Sequence, residues 1–184
     1  MPERRGILLL RRRTMTRFSL AIACFALLAG PALAQSTASD PAGFGGLAGE
    51  ADEQVNVTAD NLDVLENEST ALFTGNVVIT QGTMELEAPQ VETVYGEGGP
   101  SDLESFSASG GRVKMAFDDQ TVEADTADYD FGDRVLVFTG SVVVVNASGT
   151  VNADRLVIDT RAGTSSFSSA GDGGRVTSTF TPGG

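Results

Sequence analysis

Two stretches of this chain repeat each other at a constant offset of 65 residues. Val57-Thr58-Ala59-Asp60 returns as Val122-Glu123-Ala124-Asp125. Phe73-Thr74-Gly75-Asn76-Val77-Val78 returns as Phe138-Thr139-Gly140-Ser141-Val142-Val143. Ala88 and Ala153 keep the same spacing, so the two copies align without a gap from Val57 to Ala88. A looser echo lies within each copy, where an aromatic is followed by a Gly and then a Val: Phe73/Gly75/Val77, Phe106/Gly111/Val113, Phe138/Gly140/Val142 and Phe167/Gly174/Val176. One repeat of this size cannot bury its apolar face alone, so the copies must stack and share a core.

The units are strands. Val77-Val78-Ile79-Thr80, Val135-Leu136-Val137-Phe138 and Val142-Val143-Val144-Val145 are β-branched and too short for helices. Gln81-Gly82, Gly98-Gly99-Pro100, Gly110-Gly111, Gly132-Asp133 and Ala147-Ser148-Gly149 punctuate them as turns. No stretch after Val55 keeps a 3.6-residue period. Alternation puts Phe73, Gly75, Val77 and Ile79 on one face, repeated by Phe138, Gly140, Val142 and Val144. Gly75 and Gly140 mark either a bend in the strand or a close approach of ligand or backbone.

The N-terminus belongs to export. Phe18 to Ala34 is apolar, follows a basic head and closes with Ala32-Leu33-Ala34 before Gln35. Residues 1–34 therefore read as a secretory signal peptide, with Met1 or Met15 as its start. Cys24 sits within the apolar run, which makes a lipoprotein acylation site the lesser reading. Residues 35–54, rich in Ser, Ala, Gly and Asp, read as a flexible leader, 55–180 as the folded β domain and 181–184 as a short tail.

Composition then narrows the chemistry. The chain holds no His and one Cys, which removes Ser-His-Asp relays and His-ligated zinc. Beyond residue 34 there are 6 basic and 24 acidic side chains, a net of −18, which argues against nucleic acid. No P-loop and no nucleophile–base pair is visible, so the expectation is a protein that is not an enzyme and needs no cofactor. Asp128-Tyr129-Asp130-Phe131-Gly132-Asp133 has the look of a calcium loop without EF-hand spacing. Acids outward and aromatics inward on a strand is the simpler account, so no metal site is expected.

The run Phe73-Thr74-Gly75-Asn76-Val77-Val78-Ile79-Thr80-Gln81-Gly82-Thr83, with Ala59-Asp60-Asn61-Leu62 before it and Gly174-Arg175-Val176-Thr177 after it, resembles the signature of the OstA-like family. The resemblance implies an all-β fold, a twisted open β-jelly roll of many short antiparallel strands with an apolar interior. It also implies periplasmic transport of lipopolysaccharide, with members stacking end to end between LptC-like inner-membrane and LptD-like outer-membrane partners. Alternation and the resemblance together nominate Val55, Val57, Phe73, Val77, Ile79, Met115, Tyr129, Phe131, Phe138 and Val142 as the residues that meet lipid A acyl chains.

Burial of about a dozen methylenes is worth roughly 10 kcal/mol, far above the repulsion of about 1 kcal/mol between exposed like charges. The anionic headgroup is then expected outside the roll, short of some phosphates, or bridged by divalent cations. Arg112, Lys114 and Arg175 are the basic residues placed to meet it or a neighbouring protomer. Edge strands near Val55 and around Val176–Phe180 are expected to pair with partners and with other copies, head to tail. The alternatives are an exported structural or adhesive β-repeat protein without a lipid ligand, and an LptC-like anchored partner.

Overall fold

A computed structural model describes residues 44–50, 52–171 and 174–181. The expected signal peptide, the first part of the expected leader and the last three residues lie outside the described residues. Within them the chain forms a 3-10 turn (Phe44–Gly46), one helical turn α1 (Leu47–Glu50) and twelve strands. The strands are β1 (Val55–Thr58), β2 (Asn61–Leu65), β3 (Thr70–Gln81), β4 (Met84–Tyr95), β5 (Leu103–Ser109) and β6 (Val113–Phe117). They continue as β7 (Gln120–Ala124), β8 (Thr126–Asp130), β9 (Val135–Asn146), β10 (Gly149–Asp159), β11 (Thr164–Ser168) and β12 (Thr177–Phe180). Every pairing is antiparallel, and one hydrogen-bonded sheet contains all twelve.

The sheet folds over because its four long strands change partners halfway. The first half of β3 pairs with β2 and its second half with β1. β4 moves from β6 to β5, β9 from β8 to β7, and β10 from β12 to β11. The change occurs at bulges, between Thr74 and Val77 against β4 and between Ala153 and Arg155 against β9. Two layers result, joined along one corner: β1, β6, β7 and β12 with halves of the long strands in one, β2, β5, β8 and β11 with the other halves in the second. This is an open β-jelly roll, all-β as expected.

The repeat is the corner device. Gly75 and Asn76 both have positive φ (80° and 45°), and Gly140 and Ser141 repeat this at 83° and 46°. Two successive left-handed residues bend a strand, and glycine adopts the first of them without steric cost. A Cβ on Gly75 would lie 2.5 Å from Asp60 Oδ2, and on Gly140 it would run into the Asp125 carboxylate. The adjacent aspartates are the reason: the Asp60 N–H donates to Gly75 O at 2.9 Å, and the Asp125 N–H to Gly140 O at 3.0 Å. Asn76 Nδ2 also donates to Asp60 Oδ2 at 2.8 Å. The glycines thus mark bends, and the residues that approach them are the chain's own.

The leader is structured from Phe44 on. Phe44 and Leu47 join the core, although residues 35–54 carry no period in sequence. Two apolar side chains three apart suffice for a single helical turn, which is too short to show periodicity.

Candidate apolar groove

Strand register lines up apolar side chains across the inner face of each layer. In one, Val57 faces Ile79, and the row continues through Leu86, Met115, Val122, Val144 and Val151. In the other, Leu62 faces Phe73, followed by Val91, Ala108, Ala127, Phe138, Leu156 and Phe167. Each row runs perpendicular to the strands, from the β1/β2 end to the β10–β12 end. Their residues point inward at every second position of the strands, which is how a sequence with period two builds an apolar lining, although on β9 the outward positions Val137, Val143 and Val145 are apolar as well.

The lining is not uniform. In the middle the two layers meet and pack. Val77, Ile79, Met115, Tyr129, Phe138 and Val142 are all buried there. Phe131 is half-buried and closes an aromatic cluster, its ring centroid 4.7 Å from Tyr129 and 6.3 Å from Phe106 in edge-on geometry. The Tyr129 hydroxyl is hydrogen-bonded to Thr160 Oγ1 at 3.3 Å, which satisfies its polar end. A cavity of about 30 Å³ survives between Met84, Leu86, Phe106, Tyr129 and Leu136 beneath α1, room for about one water.

At the β1/β2 end the layers part. Val55 and Val57 on one side and Leu62, Val64, Ala71, Phe73, Thr93, Tyr95 and Leu103 on the other line an apolar trough of about 230 Å³. Of the ten nominated residues the structure gathers Val55, Val57 and Phe73 in this trough. The other seven lie in the packed centre or at its rim. Leu62, Val64 and Leu103 were missed from sequence. The signal was present, since Leu62 and Val64 alternate with Asn61 and Asp63, but nothing local says their strand has a bare inner face.

The basic residues divide. Arg112 is spent inside the chain: Nη1 donates to Asp125 Oδ1 at 3.0 Å, Nη2 reaches Glu123 at 3.5 Å, and both donate to Ser141 O at 3.2 Å. It ties β6 to the Gly140 corner. Lys114 sits on the outer face in register with Glu87 and Glu123. Arg175 is exposed. At the bulge of β10, Asp154 accepts the Ala170 N–H at 2.8 Å and the Ser169 hydroxyl at 3.0 Å. Those hydrogen bonds, the backbone one first, hold its carboxyl below the usual carboxylate range. Asp128 and Asp130 face outward, Asp128 accepting from Ser107 Oγ at 2.6 Å and Asp130 from the Asp133 N–H at 2.8 Å. Among the described residues no group of three or more acidic side chains is arranged to hold a metal, and no helix is long and apolar enough to cross a membrane.

Two layers hinged at bulged corners, packed in the middle and open at one end onto a bare apolar lining, define an open β-jelly roll with an internal groove. Residues 56–164, and again 121–177, match the family described as LptA/(LptD N-terminal domain) LPS transport protein. The chain belongs to that family. The second match begins 65 residues after the first, which is the offset of the internal repeat.

An uncharacterized protein of Rhizobium meliloti is 30% identical over 126 residues, 65% of this chain and 66% of the relative. The lipopolysaccharide export system protein LptA of Escherichia coli K12 is 26% identical over 112 residues, 59% of this chain and 60% of that protein. The matched region thus spans just under two thirds of these relatives. The crystal structure of LptH from Pseudomonas aeruginosa, described as the LptA homologous periplasmic component of the lipopolysaccharide transport device, superposes with a TM-score of 0.62 at 19% identity. It covers 72% of this chain and 99% of the LptH chain, and shares the fold.

Proposed function

We propose that this protein is a periplasmic carrier of lipopolysaccharide, seating lipid A acyl chains along its inner face while the sugars and phosphates stay in water. One observation carries the reading: the inner-face rows that are sealed in the middle of the roll emerge at the β1/β2 end as a bare apolar trough. A chain that needed only a core would not leave Leu62 and Val64 uncovered, since burying one such side chain is worth about 1.5–3 kcal/mol. A hydrocarbon chain entering the trough recovers about 0.8 kcal/mol per methylene. A headgroup in water meets the acidic outer face across high dielectric and physiological salt, where repulsion is small.

The same ends supply the partners. Among the described residues β1 and β2 pair only with β3, and β11 and β12 only with β10, so each end offers backbone groups for strand addition. Copies of this chain would stack head to tail, with an LptC-like inner-membrane protein at one end of the series and an LptD-like outer-membrane protein at the other. Leu62→Asn with Val64→Asn tests the reading. The double variant should keep its melting temperature and lose most photo-crosslinking of lipopolysaccharide to a benzoyl-phenylalanine at position 73. Undiminished crosslinking in that variant, or none in the parent, counts against the groove.

A further inference from the structure

We propose that residues 44–50, with Asp52 and Glu53, form a displaceable strap that closes the long open side of the roll, with Phe44 and Leu47 occupying the space that acyl chains enter. The inference rests on the proposed reading that lipid lies between the layers, and it adds how the centre of the roll becomes accessible. Opposite the bulged corner the layers end in hairpins, and the strap lies between the two rims. Phe44 is 0% and Leu47 6% exposed. Leu47 and Glu50 share the small residual cavity with Met84 and Leu86 of one layer and Tyr129 and Leu136 of the other. The 3-10 turn lies against β11.

The seat is shaped for it on one rim and pinned at the other. Thr83, in the β3–β4 hairpin, donates its N–H (2.9 Å) and hydroxyl (2.8 Å) to the Glu50 carboxylate. A Cβ on Gly82 of that hairpin would lie 2.6 Å from the carboxylate, so the glycine leaves room for it. A Cβ on Gly46 would lie 2.8 Å from the Phe117 ring at the β6–β7 hairpin, so here the strap itself gives way. Gln81 Nε2 donates to Glu53 O at 3.1 Å. Across the opening, Arg134 in the β8–β9 hairpin pairs with Asp52 at 2.9 Å.

Two properties make the strap releasable. It adds no strand to the sheet, so its departure breaks no ladder hydrogen bond. The ties of Glu50, Asp52 and Glu53 are solvent-exposed, and such ties add little net stability. The burial of Phe44 and Leu47 adds a term that an acyl chain would supply in their place. A site available only in the strap-open fraction binds more weakly by that fraction.

The experiment uses the full-length protein in a Cys24→Ser background and fluorescent lipopolysaccharide as probe. In Phe44→Ala with Leu47→Ala, the affinity should rise about tenfold as the closed state is lost. In Asp52→Cys with Arg134→Cys, bridged by a reducible bis-methanethiosulfonate, binding should fall about tenfold and return on reduction. Bridged protein that binds as well as the reduced form overturns the strap. So does a loosened variant that stays folded and binds more weakly than the parent, since Phe44 and Leu47 would then belong to the ligand site. If no form binds, the loosened one included, the lipid reading itself fails and the strap with it. The bridged and reduced pair keeps the test decisive even if the loosened variant does not fold.

Discussion

The two copies of the 65-residue repeat are locally alike and globally unlike. Asp60, Gly75 and Asn76 in the first build the same corner as Asp125, Gly140 and Ser141 in the second, down to matching φ values. Yet Val57 and Phe73 are half-buried where their counterparts Val122 and Phe138 are fully buried. The contrast is sharper on β2. Leu62 is 53% and Val64 51% exposed, while Ala127 and Tyr129, which stand 65 residues later on β8, are 0% and 9%. The second copy sits in the middle of the stack, with β5 on one side of β8 and β9 on the other. The first sits at the end, where β2 has a neighbour on one side only among the described residues. Position in the stack, rather than residue type, turns the same inward-facing pattern into a core in one place and a groove in the other.

Equivalent substitutions in the two copies should therefore separate stability from binding. Phe138→Ala empties a fully buried site and should cost about 3–5 kcal/mol, lowering the melting temperature by about 10 °C in a domain of this size. Phe73→Ala should cost about 1 kcal/mol and instead reduce lipopolysaccharide capture. Calorimetry and a binding assay on the pair give the comparison. Equal thermal losses would erase it.

The corners should behave alike in both copies. Gly140→Ala forces a side chain into the left-handed region and against Asp125, at a cost of about 2 kcal/mol by chemical denaturation, and Gly75→Ala should match it within about 0.5 kcal/mol. A much smaller cost in the first copy would mean that the end of the roll does not need its bend.

The smallest effect concerns Asp154, at the corner between β10 and the last pair of strands. Its folded carboxyl titrates below the ordinary value of 3.8 because Ala170 and Ser169 donate to the charged form. Its stabilisation is present above that ordinary value and is lost as pH falls through the lowered folded one. Asp154→Asn should lower stability slightly at neutral pH and flatten the acid limb of a stability–pH curve. An unchanged acid limb would show that the corner does not depend on this charge.

Much of the fold was legible because it is local and periodic. The strands follow from β-branched runs and period-two alternation, while Gly75 and Gly140 left two readings, a bend or a close approach, between which the tertiary structure chose. The edges were also readable, since the first and last strands of an open stack have one neighbour fewer. The groove was less so. Alternation says that Val57, Val77 and Val142 point inward, but it is the same for a residue that meets the opposite layer and one that meets nothing. Phe44 and Leu47 were hidden for another reason. A single helical turn among Gly, Ala and Asp leaves no periodic trace, and its burial depends wholly on rims brought together from residues 81–84, 117 and 134.

By itself, then, the amino-acid order settled the pleat, the repeat and the family to which they belong, because each is decided within a few residues or by an offset that can be counted. Only the tertiary arrangement decided which inward faces are covered, since burial is a property of what stands opposite. With eight crossings stacked side by side in each layer, the end strands have no neighbour on their far side among the described residues, and at the β1/β2 end the apolar face remains open.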